Sequence, residues 1–156
     1  MCASVHIAMR QVVVSGRLGL LAVGSSRDDI RAELGAPDHN VTAFDARWRY
    51  GDLELEFDTR DPGVLAGFNI HAFTDLPRLP GGLVLDPWFF RAGARIDEVM
   101  LALASAEIPF RAVQMPGDRS QVYVITRDRP LVRLQFMLES DGDWARGLHG
   151  IWVSRA

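Results

Sequence analysis

Three short blocks of the sequence recur later in the chain in the same order. The pairs are GSSRDDIRAEL at 24–34 with GARIDEVMLAL at 93–103, LELEF at 53–57 with VRLQF at 132–136, and LAGFNI at 65–70 with LHGIWV at 148–153. The gaps between the blocks are longer in the second copy. Recurrence in a fixed order predicts a duplicated unit in which loops were inserted into the second copy.

Each copy is predicted to contain a helix followed by strands. The first helix should run near Ser26–Leu34, since a serine can cap its N-terminus and Gly35 can end it. The second should run over Ile96–Ala106, ahead of Pro109. The expected fold class is therefore α+β, with two tandem helix-plus-antiparallel-sheet repeats that share one core or one sheet.

The stretch ARWRYGDLELEFD at 46–58 predicts a β-hairpin. A two-residue turn at Gly51-Asp52 places Arg49 opposite Glu54 and Arg47 opposite Glu56. One face of the hairpin is then apolar, and the other carries two Arg–Glu pairs on a solvated surface. The expected core residues are Ile30, Leu34, Trp48, Leu53, Leu55 and Phe57 in the first copy, and Val99, Leu103, Val132, Leu134 and Phe136 in the second.

The predicted organisation has four segments. Residues 1–15 form an N-terminal extension or first strand, 16–74 the first repeat, 75–82 a linker rich in proline and glycine, and 83–156 the second repeat. If the protein starts at Met9, the residues before it are expected to be a disordered extension.

The composition excludes several classes of protein. A net charge of −3 is too small to indicate a nucleic-acid or membrane partner. A single cysteine excludes a disulfide scaffold and a cysteine zinc site within one chain. The N-terminal segment lacks the long apolar run of a signal peptide, and no stretch reaches the length of a membrane span, so a cytoplasmic location is expected.

The first copy resembles the outer-membrane-assembly lipoprotein family of the SmpA/OmlA type. The residues that carry this resemblance are Gly24, Ser25 or Ser26, Ile30, Leu34, Gly35, Pro37, Trp48 and Tyr50. The motif covers roughly residues 20–58 and implies a helix packed on a small sheet. The chain departs from the family in lacking a lipoprotein signal and in having Ser25 where the family has an apolar residue, so membrane anchoring is not implied.

Two such units in tandem also resemble the β-lactamase inhibitor protein family. In that family, two helix-plus-sheet repeats form a concave surface that binds a protein. This resemblance concerns architecture, and it implies a binding module, not an enzyme.

The sequence contains no motif that predicts catalysis, a cofactor or a metal site. The four histidines, His6, His39, His71 and His149, have no metal-ligand spacing, and phosphate-binding and nucleophile motifs are absent. No catalytic, cofactor-binding or metal-binding residue is therefore assigned, and no cofactor is expected.

Aromatic residues give the candidate partner-binding positions. Trp88 and Phe89 precede the second helix, where they either seal the junction between the halves or anchor a partner. Trp152 aligns with Asn69 in the recurring block, and it should be exposed if Asn69 faces solvent. Trp and Arg are enriched at binding hot spots. The candidate residues are Trp88, Phe89, Trp144, Arg146, His149 and Trp152.

Three functions are compatible with these observations. The first is a noncatalytic protein-binding module, such as an inhibitor or immunity-type protein, whose partner is another protein or a second copy of the chain in a homodimer. The alternative is a small-ligand-binding domain with an apolar pocket between the halves. The third is an enzyme that uses Glu54, Glu56 or Asp58 with His39 or His71.

Overall fold

The computed structural model describes residues 5–40, 46–72, 77–80, 82–138 and 147–156. Within them the chain forms three helices and ten strands. The predicted α+β class is confirmed.

The two predicted helices are present, and a third precedes them. Helix α1 spans Met9–Ser15, α2 spans Arg27–Leu34 and α3 spans Ile96–Ser105. The Ser26 hydroxyl caps α2 by accepting the backbone N–H of Asp29 at 3.1 Å.

Most of the strands belong to one antiparallel sheet. The strands are β1 (Val5–Ala8), β2 (His39–Asn40), β3 (Arg47–Tyr50), β4 (Leu53–Phe57), β5 (Leu65–His71), β6 (Leu83–Asp86), β7 (Arg111–Gln114), β8 (Gln121–Asp128), β9 (Leu131–Met137) and β10 (Gly147–Ser154). Eight of them form a sheet in the order β2-β3-β4-β5-β10-β9-β8-β7, while β1 and β6 form a separate parallel pair.

The eight-stranded sheet is assembled from two consecutive series of strands. Along the chain, α2 is followed by β2 to β5, and α3 is followed by β7 to β10. Strand β6 lies between β5 and α3 in the chain and is not part of this sheet. The last strand of each series lies at the centre, where β5 and β10 pair antiparallel. The centre of the sheet is therefore built from residues far apart in sequence.

One face of the sheet is covered by the helices. Its inward side chains share a single hydrophobic core with Ile30 and Leu34 of α2 and Val99 and Leu103 of α3. Every residue predicted to be in the core is buried. The guanidinium of Arg27 lies 5.1 Å from the centre of the Trp48 ring and 4.1 Å from that of Phe57, which ties the start of α2 to strands β3 and β4.

The N-terminal segment is part of the fold. Strand β1 pairs with β6, and Met9, Val12 and Val13 of α1 are buried. The expectation of a disordered extension before Met9 is therefore wrong for Val5–Ala8. Arg10, which interrupts the apolar pattern, is exposed and donates a hydrogen bond to the carbonyl of Ala106 at 3.1 Å. The remaining residues of that extension lie outside the described residues.

The described part of the predicted linker is held against the hairpin turn. The carboxylate of Asp52, which is only 3% exposed, accepts the backbone N–H of Arg78 at 2.7 Å. The backbone N–H of Asp52 donates to the Arg78 carbonyl at 2.9 Å. This segment is irregular, as predicted, and the turn anchors it.

Candidate functional site

The outer face of the eight-stranded sheet carries a continuous group of polar and aromatic side chains. Among the described residues, no helix covers this face, because α1, α2 and α3 contribute to the core on the other side. Most of its side chains are half-buried by one another. The face includes Arg47, Arg49, Glu54, Glu56, Asn69, His71, Tyr123, Arg133, Gln135, His149 and Trp152.

Two histidines and a tryptophan form a cluster at its centre. The Trp152 ring lies 5.9 Å from His71 and 6.1 Å from His149, and the two imidazoles are also 6.1 Å apart. A β-bulge between Leu148 and Gly150 allows His149 to join this face. Gly150 makes room for the indole, since a Cβ there would lie 3.0 Å from the Trp152 ring.

Both histidines favour the neutral form. Burial lowers the pKa of His71, an effect that the charge of Glu54 partly opposes and those of His149 and Arg49 reinforce. Burial also lowers the pKa of His149. The cluster is therefore uncharged at neutral pH and gains positive charge on acidification.

Two polar atoms next to Trp152 make no hydrogen bond within the described part of the chain. Asn69 and Arg133 are the cross-strand neighbours of Trp152 on β5 and β9. Oδ1 of Asn69 and Nε of Arg133 are both buried without a hydrogen-bond partner. The Arg133 guanidinium lies 5.1 Å from the centre of the Tyr123 ring. Buried atoms without hydrogen bonds are uncommon, so the hydrogen-bonding capacity of these two atoms is unused in the described part of the fold.

The predicted hairpin register is confirmed, but its charge pairs are different. Arg47 lies opposite Glu56 and Arg49 opposite Glu54, as expected. Arg47 contacts both acids, at 3.5 Å from Glu56 and 3.8 Å from Glu54. Arg49 instead donates Nε to the Gly51 carbonyl at 3.0 Å, because the tight turn brings that oxygen within reach.

The solvated face predicted for these acids is only partly correct. The Glu56 side chain is 60% exposed, whereas that of Glu54 is 18% exposed. Glu54 is covered because it lies next to Asn69 on β5, one strand nearer the centre of the sheet. Asp58, the third acid considered for catalysis, pairs with Arg155 and accepts the backbone N–H of Arg60. The hydrogen bonds from the backbone N–H groups of Arg60, which has the largest effect, and Asp61 lower the pKa of Asp58, and so does the charge of Arg155.

The structure describes four of the six candidate partner-binding residues, and they do not all lie together. His149 and Trp152 lie together on the outer face. Trp88 is 38% exposed but lies in an open cleft with residues of α1 and α3, away from this face. Phe89 is in the core at 9% exposure, so it offers little surface to a partner. Trp144 and Arg146 lie outside the described residues.

The predicted partner-binding residues do not include His71, Tyr123 and Arg133 of the outer face. His71, a candidate only in the enzyme hypothesis, reaches Trp152 through the pairing of β5 with β10, and Arg133 reaches it through the pairing of β9 with β10. Tyr123 lies on β8, next to β9. The alternation along β5, which puts Asn69 and His71 on one side, is a signal that could have identified His71.

The described residues contain no cluster of three or more histidine, cysteine or acidic side chains that could hold a metal ion. None of the described helices is both long enough and apolar enough to cross a membrane. The fold and this face define an α+β protein with an open antiparallel sheet. No family model, curated protein or solved structure matches the chain.

Proposed function

We propose that the protein is a noncatalytic protein-binding module of the inhibitor or immunity type, and that its interface is the outer face of the sheet. The observation that carries the proposal is the aromatic centre of this face, Trp152 with His71 and His149, which the described helices leave uncovered. Tryptophan near the middle of a surface is typical of binding hot spots.

The shape of the face favours a protein over a small molecule. An extended sheet surface suits a partner that covers many side chains, whereas small-ligand sites are concave and mostly enclosed. The alternative function requires an apolar pocket beside Trp88–Phe90. Phe89 and Phe90 fill the core, and the cleft beside Trp88 is lined in part by the charged residues Arg10 and Asp86, so it is not the apolar pocket that this function requires.

The charges of the face indicate the chemistry of the partner. Glu54 and Glu56 share the single positive charge of Arg47, at 3.8 and 3.5 Å. Within the described residues, Arg49 and Arg133 form no ion pair, and they flank the aromatic centre on either side. The proposed partner therefore presents carboxylates around an apolar or aromatic group that packs on Trp152.

We also infer that the two series of elements arose by duplication of one unit. The matching order of helix and four strands supports this, as does the register at the centre of the sheet. Asn69 and Trp152, which align in the recurring blocks, are cross-strand partners. In the recurring blocks Phe68 aligns with Ile151 and Ile70 with Val153. In the sheet Phe68 lies opposite Val153 and Ile70 opposite Ile151, which is the arrangement that a two-fold axis between β5 and β10 produces.

The inhibitor type is suggested by the resemblance of two such units to the β-lactamase inhibitor protein family. A reducing compartment such as the cytoplasm is consistent with one cysteine among 156 residues.

A comparison of variants in pull-down tests the proposal. Wild-type protein and a Trp152→Ala/His149→Ala variant are immobilised and exposed to extract of the source organism. We expect one protein to be retained at about equimolar amount by wild type only. That protein is then purified, its affinity is measured directly, and its own activity is assayed with and without the wild-type chain.

Inhibition of that activity at equimolar ratio would support the inhibitor or immunity type. Retention of no stoichiometric protein, or of one that binds the variant equally well, would contradict the proposed interface.

A further inference from the structure

Apart from the outer face of the sheet, the surface has an arginine-lined cleft next to the C-terminal end of α1. It has a volume of about 700 Å³ and is lined by the end of α1, the β8–β9 turn and the end of β10. Four arginines line it, out of seventeen in a chain whose net charge is −3. They are Arg17, Arg127, Arg129 and Arg155.

Two of these arginines are fixed in position by the fold. Arg127 donates Nε to the Arg129 carbonyl at 2.7 Å and Nη1 to the Val14 carbonyl at 3.1 Å. Arg155 pairs through Nη1 with Asp58. Each guanidinium has five N–H donors, so both retain donors beyond these contacts. Fixed guanidinium groups lose less freedom when they bind an anion.

The negative end of α1 is already neutralised at this cleft. Its last carbonyls accept hydrogen bonds from the Thr126 hydroxyl at 2.8 Å and from Arg127. The other three arginines of the cleft therefore do not hydrogen-bond to these carbonyls. Within the described residues, no carboxylate pairs with Arg17 or Arg129. Among the described residues, the carboxylate that pairs with a cleft arginine is that of Asp58, so the four arginines carry more positive charge than this one acid balances.

The remaining lining is apolar. Ala22, Val23 and Pro130 form this part of the surface, beside Gly16, where the backbone approaches Pro130 closely. The volume lies within the range of roughly 300–1,000 Å³ that is usual for small-molecule sites. Arginine forks match the oxygens of a phosphate group bidentately.

From these observations we infer that the cleft binds a small organic dianion, specifically a phosphate monoester whose organic part contacts Ala22, Val23 and Pro130. This site is separate from the outer face of the sheet, and it does not depend on the function proposed for that face.

Calorimetric titration tests the site with inorganic phosphate and phenyl phosphate as probes, at constant ionic strength. We expect saturable one-to-one binding of both, with phenyl phosphate tighter because of the apolar lining. Arg17→Gln/Arg129→Gln should weaken both by about tenfold or more, since charge-assisted hydrogen bonds are lost. Arg119→Gln, an exposed arginine outside the cleft, is the matched control and should leave both affinities unchanged.

Phenylsulfonate, a monoanion with the same ring, separates charge from apolar contact and should bind more weakly than phenyl phosphate. Absence of saturable binding by wild type, or equal binding by the double variant, would overturn the inference. Trp152→Ala should leave phosphate binding intact, so failure of the interface proposal and failure of this one are distinguishable.

Discussion

Asn69 lies directly opposite Trp152 across the central strand pair of the sheet. The two residues also occupy equivalent positions in the recurring sequence blocks. Their inward neighbours on β5 and β10 are apolar on both strands and fully or almost fully buried, whereas these two outward residues differ in size and polarity. The proposed duplication and the proposed binding role of the outer face together predict this contrast between a similar core and a different surface.

The core of the first half can be tested at Leu55. Leu55 is fully buried, and Leu55→Ala should lower the free energy of unfolding by roughly 2–5 kcal/mol through the cavity it leaves. The matched control is Leu101→Ala on α3, where the side chain is 67% exposed and the change should stay within about 0.5 kcal/mol. Urea denaturation measures both. Equal losses for the two variants would show that the hairpin register is wrong.

The ion pairs of the same hairpin should contribute little to folding. Glu56→Gln removes one exposed contact of Arg47, and we expect a change of about 0–1 kcal/mol in the free energy of unfolding that decreases with added salt. Denaturation at low and high salt checks this. A loss well above that range at high salt would mean that Glu56 has a role other than a screened surface pair.

Short-range patterns predicted the hairpin, the helices and the core because each depends on residues close in sequence. The alternation from Arg47 to Phe57 allows one register, since a shift by one residue would expose Trp48 and Leu55. The helix caps and the spacing of Ile30 and Leu34 are equally local.

The parts that sequence did not predict depend on distant contacts. The sequence leaves residues 1–15 as an extension or a first strand, because the parallel pairing of Val5–Ala8 with Leu83–Asp86 is a contact that no local pattern signals. Arg47 contacts both Glu54 and Glu56, because Arg49 donates its Nε hydrogen bond to the Gly51 carbonyl in the turn. His71 on β5 becomes a neighbour of Trp152 on β10 only when the two halves meet, whereas Arg133 becomes one through the pairing of β9 with β10.

The buried Asp52 should be important for attaching the segment that follows the first sheet half. Asp52→Ala leaves the Arg78 N–H without its acceptor, and we expect a loss of roughly 1–3 kcal/mol in the free energy of unfolding. Asp52→Asn retains an acceptor oxygen and should lose less. Limited proteolysis should cut the alanine variant faster at 77–80; equal stability and cleavage of wild type and both variants would contradict the anchoring role.

Stability should fall as the pH drops through the range in which histidine titrates. Because burial lowers the pKa of His71 and His149 below 6.5 in the folded chain, the unfolded chain binds protons first. Their contribution is complete above about pH 6.5 and decreases as the pH falls toward the folded pKa values. Urea denaturation at about pH 7.5 and 5.5 should show this decrease.

The control for this pH effect is a His71→Gln/His149→Gln variant, which should show a smaller difference between the two pH values. His39→Gln, an exposed histidine on β2, should retain the wild-type difference. Asp58, Asp97 and Asp118 also have lowered pKa values, but their contribution is lost only as the pH falls below about 3.8. The histidine account is wrong if the double variant keeps the full wild-type difference.

The central claim is that the outer face of the sheet is the interface, and two tryptophans allow a matched test. Trp152 is at the centre of that face, whereas Trp88 is exposed in the cleft beside α1 and α3. The deciding measurement is the dissociation constant of the purified partner with Trp152→Ala and with Trp88→Ala. We predict that Trp152→Ala raises it by about 30-fold or more, as expected of a hot-spot residue worth about 2 kcal/mol, while Trp88→Ala changes it less than about threefold. An unchanged affinity for Trp152→Ala, or an equal loss for Trp88→Ala, would contradict the claim.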